Sequence, residues 1–309
     1  MDVLSYAGQV ASQVAIMLLL IISGLVASKL KWISENGVSQ MINILFYLVT
    51  PAVIINSFLS VEYSSDRLVS LAVMAGCAIL IHTIGIVVSW IFYRKEEVSK
   101  KSVLRCTVIF SNCGFMCLPL AAALFGDIGV FYVSVYVVMH NVLIWTVGVS
   151  LFEKGAMSIK KALINPGTIG VIIGLPLFIF DVPVPEILSG TVGSLASLNT
   201  PMAMIVLGFY LSCTAPRIQK GDGKLLFCML LRLLAVPALG LLLLWLLPIP
   251  ADVFAACMLP ACAPAASNVT MFASKFGGDV DSASRMVSVS TLLSILTTPL
   301  FMTLAQLAV

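Results

Sequence analysis

The chain has 309 residues, 60% of them hydrophobic and 10% charged, with a formal net charge of +3. Soluble domains are nearer half apolar and a quarter charged, so this composition excludes a soluble globular protein and points to a polytopic membrane protein. The small positive balance gives no reason to expect a nucleic-acid partner.

A membrane crossing needs roughly 20 apolar residues. Ten such stretches follow one another, at about residues 7–28, 38–60, 68–92, 102–125, 128–152, 163–180, 187–212, 224–247, 251–273 and 284–307. We number them spans 1 to 10. The connections are short and leave nothing for a soluble domain. Span 1 follows Asp2 in place of a basic segment and lacks a small-residue cleavage site, so it reads as a retained helix and not a signal peptide.

Span 2 carries "LVTPAVII" (Leu48 to Ile55), which returns in span 7 as "LNTPMAMIV" (Leu198 to Val206). "LFGD" (Leu124 to Asp127), closing span 4, is echoed by "KFGGD" (Lys275 to Asp279) after span 9. Both offsets are 150 to 152 residues, so the chain divides into halves of five spans, 1–155 and 156–309. An odd number of crossings per half inserts the second copy upside down, and inverted repeats are a mark of transporters.

Spans 4 and 9 are interrupted at corresponding depth. Span 4 holds "SNCGFMCLPLAAALFG" (Ser111 to Gly126), with Asn112, Cys113, Gly114 and Pro119; span 9 holds "LPACAPAASN", with Pro260 and Pro264. Proline in a helix interior removes a donor and clashes with the preceding turn, at a cost of roughly 3 kcal/mol. Unwound backbone at membrane depth is tolerated where it is buried in protein or lines a cavity. With restarts near Leu120 and Ala265, two opposed helix amino ends would face one central point and hold an anion without a fixed positive charge. Asn112 adds an amide there, and Ser111 and Asn268 are further candidates. No Asp or Glu falls in the middle of a span. His82 and His140 are the titratable groups at depth and the candidates for proton coupling; Arg105 and Arg232 sit one to two turns inside the basic ends of spans 4 and 8 and read as snorkelling to the interface.

Connections 1–2, 3–4, 5–6, 7–8 and 9–10, with their flanking turns, hold 16 of the 17 Lys and Arg; the others hold only Arg67. Basic short loops stay cytoplasmic, which puts both termini outside. The eight cysteines (77, 106, 113, 117, 213, 228, 257 and 262) include no C-x-x-C pair and read as packing residues, with no metal or cofactor implied. Gly170 and Gly174 form a small-residue face suited to close helix packing. Trp145 is read as packing, and Trp32, Trp90 and Trp245 as interfacial anchors.

An ordered set of motifs, "NILFYLVTPAVI", "SNCGFMCLPLAAALFGDIG", "NVLIWTVGVSLF", "INPGTIGVIIGLPLFIF", "LNTPMAMIVLGFYLS", "LLRLLAVPALG" and "LPACAPAASNVTMFASKFGGD", resembles the auxin efflux carrier family, which includes plant auxin carriers and bacterial malate and malonate permeases. The resemblance implies an all-α fold of ten transmembrane helices in two inverted five-helix repeats. In it, helices 4 and 9 are broken and cross beside the substrate. It further implies elevator-like movement of helices 3–5 and 8–10 against a scaffold of helices 1, 2, 6 and 7, often in a homodimer. By the same resemblance Asn112 and Pro119 match the helix 4 crossover, and Thr50 matches a scaffold residue facing substrate. Asn165 begins Asn165-Pro166-Gly167, where plant members read Asn-Pro-Asn. The missing second amide argues against auxin and for small aliphatic carboxylates. The expected site is therefore Thr50, Asn112, Cys113, Gly114, Pro119, Asn165, Pro264, Ala265 and Asn268, in a carrier of the cytoplasmic membrane coupled to protons, to sodium or to neither.

Other function classes fare worse. A sodium symporter of the bile-acid type would want polar clusters at the crossovers, and span 9 is rather apolar. An intramembrane hydrolase needs an activated Ser, paired Asp or metal-binding His, and no G-x-S-x-G or H-E-x-x-H occurs. A membrane sensor would want a soluble output domain.

Overall fold

In a computed structural model, residues 3–153, 155–213 and 222–308 are described. Asp2, used in reading span 1 as a retained helix, and Lys154, Arg217 and Lys220, on which part of the orientation reading rests, lie outside them, as does the side chain of Cys213. The described chain is helical throughout: α1 (Val3–Lys29), α2 (Glu35–Ser60), α3 (Ser65–Phe92), α4 (Val98–Ile109), α5 (Cys113–Phe152), α6 (Ile159–Leu163), α7 (Pro166–Ile179), α8 (Glu186–Ser197), α9 (Asn199–Cys213), α10 (Gly223–Trp245), α11 (Ala251–Cys262), α12 (Asn268–Phe276) and α13 (Val280–Ala308).

Six runs among the described residues are long and apolar enough to cross a membrane: α2, α3, α5, the α8–α9 run, α10 and α13. Shorter apolar helices are Ala15–Lys29, α7 and α11. Spans 4 and 9 are not continuous helices. The 12 residues of α4 and the 12 of α11 each rise about 18 Å, little more than half the hydrocarbon thickness of about 30 Å. The expected loop between spans 4 and 5 shrinks to one non-helical residue in α5, Gly126, at φ 63 and ψ −152. Glycine adopts that backbone without a Cβ clash.

Proline positions explain three of the four wide helical turns; the fourth, Ile144–Gly148, has no proline after it. Wide π-helical turns at Leu45–Val49, Cys113–Cys117 and Leu231–Ala235 each end two residues before a proline: Pro51, Pro119 and Pro237. A proline offers no N–H and its ring crowds the carbonyl four residues back, so the preceding turn opens out. Thr50 bonds into the first of these turns, its hydroxyl donating to the Leu45 carbonyl at 2.8 Å.

Two helix pairs pack closely at glycines, the first of them backbone to backbone. In α1 and α9, a Cβ on Gly24 would strike the Ile205 carbonyl, and one on Gly208 the Ile21 carbonyl. Between α7 and the second half of α2, Gly170 admits Ile54 and Pro51, and Gly174 admits Phe58, at 2.8–3.1 Å from an added Cβ. Gly170 and Gly174 are the close-packing face read from sequence; Gly24 and Gly208 were not anticipated. Gly208→Leu is expected to destabilise the protein by about 3 kcal/mol, because backbone cannot yield as a side chain does. Thermal unfolding in detergent checks it, and an unchanged midpoint would refute the close approach.

The remaining core joins α3 to α4, α5, α10 and α11, and an aromatic cluster of Phe58, Phe131 and Phe178 ties α2, α5 and α7 together at ring separations of 4.8–6.1 Å. On the basic-loop side Asp279 caps α13, accepting from the Ser282 N–H (3.0 Å) and hydroxyl (2.7 Å). Desolvation alone would raise this carboxyl; the two Ser282 bonds, with Lys100 and Arg285 nearby, outweigh it and hold the group below its ordinary range.

Candidate functional site

The breaks at 110–112 and 263–267 meet. Residue Ser111 pairs with Ala265 as an isolated antiparallel bridge. The Asn112 N–H donates to the Pro264 carbonyl at 2.8 Å and the Ala266 N–H to the Phe110 carbonyl at 3.0 Å. Pro264 disfavours helical geometry in the residue before it, and Ala263 is extended at φ −66, ψ 153. The Ala265 N–H, left over by the bridge, donates to the Ser290 hydroxyl of α13 at 3.2 Å. Two opposed helices are thus each replaced at the crossing by a short extended strand, and these backbone bonds join the two strands.

The restart points differ from the expected Leu120 and Ala265. The second halves begin at Cys113 and Asn268. Pro119 is the seventh residue of α5, and the wide turn at Cys113–Cys117 takes up its missing N–H and its ring. The strand pairing at 111 and 265, and not the proline, fixes where helix resumes.

The two kinds of helix end are separated. The ends of α4 and α11 present carbonyls, and Arg232, fully buried in the wide turn of α10, reaches them. Its Nη2 donates to Pro260 (3.0 Å) and Ala261 (2.9 Å), Nε to Ala263 (3.0 Å) and Nη1 to Val108 (3.4 Å). Arg232 therefore does not snorkel to the interface. A guanidinium placed among helix C-terminal carbonyls meets the negative dipole ends, which is a better partner than a distant headgroup. Arg105 does lie near the basic edge, half-buried with its guanidinium 5.9 Å from the Trp90 ring centre.

The amino ends of α5 and α12 border a cavity of about 300 Å³. Neither receives a side-chain cap from the residue before it, Asn112 or Ser267. In α12 the Val269 and Thr270 N–H groups donate to the Ala266 and Ser267 carbonyls (3.1 and 3.2 Å), and in α5 the Met116 N–H donates to the Asn112 carbonyl (3.3 Å), so the earliest N–H groups of each helix are the ones left for a ligand, next to positive dipole ends. The Ser111 hydroxyl, on a residue 1% exposed, has no partner among the described residues. His140 lines the wall and His82 stands behind it; the two are hydrogen-bonded, His82 Nε2 to His140 Nδ1, at 3.2 Å, and His82 Nδ1 lies 2.7 Å from the Ala78 carbonyl.

Residues 9–161 and 155–302 match the family described as "Membrane transport protein". The chain belongs to this family, the auxin efflux carrier family. It is also similar to an uncharacterized transporter of Methanothermobacter thermautotrophicus, at 23% identity over 292 residues that cover 92% of this chain and 95% of the relative. The protein is a multi-pass membrane transporter.

Of the residues expected at the transport site, Thr50, Asn112, Cys113, Gly114, Asn165 and Asn268 line the cavity, as does His140. Pro119, Pro264, Ala265 and His82 do not; they shape or support the wall. Asn165 spends its carbonyl oxygen within the fold, accepting from the Gly167 N–H (3.0 Å) and from Asn141 Nδ2 (2.9 Å). Asn141, Trp145 and Ser267 also line the cavity and were not anticipated. Asn141 stood in "NVLIWTVGVSLF" as an amide inside a span, which was the available signal. Trp145 gave none, because a cavity-lining indole and a packed one look alike in sequence; here Lys161 stands 5.2 Å from its ring centre.

Proposed function

We propose that this membrane transport protein is a secondary carrier of small organic anions, with malate and malonate as the leading substrate class. The observation that carries the reading is the pair of uncapped helix amino ends at one cavity, beside the unpartnered Ser111 hydroxyl and the Asn112 side chain. Backbone donors and dipole ends hold a carboxylate without a fixed cation. Among the described residues no Lys, Arg, Asp or Glu lines the cavity. A volume of about 300 Å³ is at the small end for ligand pockets, which favours a compact substrate.

The architecture inferred with it is ten crossings in two inverted halves. Its support is a repeated contact. Gly24 meets α9 as Gly174 meets α2, and the positions opposite, Gly208 and Phe58, are also 150 residues apart. The crossing strands at Ser111 and Ala265 stand at a similar offset. The cavity draws on the first half of α2, the end of α5 and the start of α7, all adjoining basic loops, so it lies toward the cytoplasmic side with both termini outside. Alternating access then moves α3–α5 and α10–α13 as one body past α1, α2 and α7–α9.

Purified protein in liposomes loaded with unlabelled carboxylate should accumulate [14C]malate or [14C]malonate by counterflow, tested with and without sodium at equal pH on both sides. Absence of exchange for every mono- and dicarboxylate in the panel would overturn the reading.

A further inference from the structure

We propose that His140, held by His82, is the proton-binding group that couples passage of the carboxylate to passage of a proton; this rests on the anion-carrier reading above. The chain has only two histidines, and the fold brings them from α3 and α5 into contact with each other in the interior.

Their hydrogen bonds assign the protons. A carbonyl only accepts, so the 2.7 Å contact with Ala78 places a proton on His82 Nδ1. In the neutral ring His82 Nε2 is then an acceptor, and the 3.2 Å bond requires the proton of His140 on its Nδ1. His140 Nε2 is left as a bare base. It makes no hydrogen bond among the described residues, and His140 borders the cavity beside Asn112 and Cys113. A proton arriving from the cavity lands on that nitrogen without breaking either existing bond. His82 is a positioning residue: it holds the tautomer of His140 and its ring plane.

The surroundings decide when that proton stays. The charged group bearing on both rings is Arg232 from α10. The other titratable groups close by are Tyr136 of α5, with its ring centre 5.3 Å from that of His82, and the thiols of Cys113, Cys117 and Cys257. Phe110 closes the remaining side, at ring separations of 5.7 Å from His82 and 5.5 Å from His140. No carboxylate bears on either ring. An imidazolium here would share a water-poor interior with a buried guanidinium and have no counter-charge from the described residues. A carboxylate held by the helix amino ends supplies one. Proton and anion therefore bind together: the proton comes from water on the side where the cavity opens, sits on His140 Nε2 against the carboxylate, and returns to water with it on the other side. Because α3, α5 and the crossing strands pack together, both histidines travel with the bound pair.

Linkage gives the test. If one proton enters with each anion, the Kd of [14C]malate rises tenfold per pH unit above the range where malate itself titrates, from about pH 6.5 to 8. His140→Gln should bind malate with a slope near zero and lose accumulation driven by an inward-acid gradient. His82→Gln, whose amide oxygen can still accept from His140 Nδ1, should keep the slope. In protein carrying 15N-histidine only two rings give signals, and malate should convert the bare Nε2 of one into a protonated nitrogen. Counterflow with a flat Kd, or an unchanged histidine spectrum with malate bound, overturns the proton site and leaves the carrier intact. Failure of every carboxylate to exchange removes both. The wild-type measurements decide the matter even if a variant fails to fold.

Discussion

Arg232→Met is expected to lower the unfolding midpoint in detergent by about 10 °C and to abolish transport. The guanidinium donates to four carbonyls at the cut ends of α4 and α11, at 2.9 to 3.4 Å. Hydrogen bonds to a charged group contribute about 1.5–3 kcal/mol each, and removal leaves buried acceptors unsatisfied. Relief from burying the charge offsets part of this. A net loss of about 5 kcal/mol remains, and at about 2 °C per kcal/mol for a chain of this size it gives the expected shift. Arg232→Lys should recover less than half, because one ammonium on a flexible stem cannot span both helix ends as the planar fork does. Tryptophan fluorescence during heating reads the effect. A midpoint within about 2 °C of wild type would show that the cut ends do not depend on this side chain.

Asn112→Ala should weaken carboxylate binding by about 30-fold while leaving thermal unfolding nearly unchanged. The Asn112 backbone does the structural work: its N–H donates to Pro264 and its carbonyl accepts from Met116. Its side chain caps nothing and borders the cavity. Removing one polar contact to a charged ligand costs about 2 kcal/mol, which is about 30-fold in Kd. Equilibrium binding of [14C]malonate measures it. Wild-type affinity in the variant would take the Asn112 amide out of the site, and a large fall in stability would make it a structural residue.

Both expectations depend on charge at broken helices, and each was legible in sequence to a different degree. The interruption itself was plain, since an amide, two glycines and a proline inside an apolar run have few other uses. Its exact place was not. Proline pointed to Leu120 and Ala265 as the restarts, whereas the pairing of Ser111 with Ala265 set them at Cys113 and Asn268. That pairing joins residues 154 positions apart, and no local preference encodes it. Pro119 instead shaped a wide turn, a local effect visible only once the true helix start is known.

Arg232 was misread because sequence gives depth along a helix but not what faces it. One to two turns inside a basic end, an arginine reaches lipid headgroups if its side is exposed and helix carbonyls if its side is buried; the fold buries it. The two histidines were flagged by type alone. Their mutual hydrogen bond, which fixes the protons on both rings, needed α3 and α5 side by side. Composition and the hydrophobic runs by themselves determined a polytopic, helical membrane protein with two polar breaks, because water-to-lipid transfer acts on each residue where it stands in the chain. Only the tertiary structure decided which broken ends meet, which charge answers them and which polar groups stay open to the cavity, because those energies come from contacts between different helices, 28 to 154 residues apart in the chain.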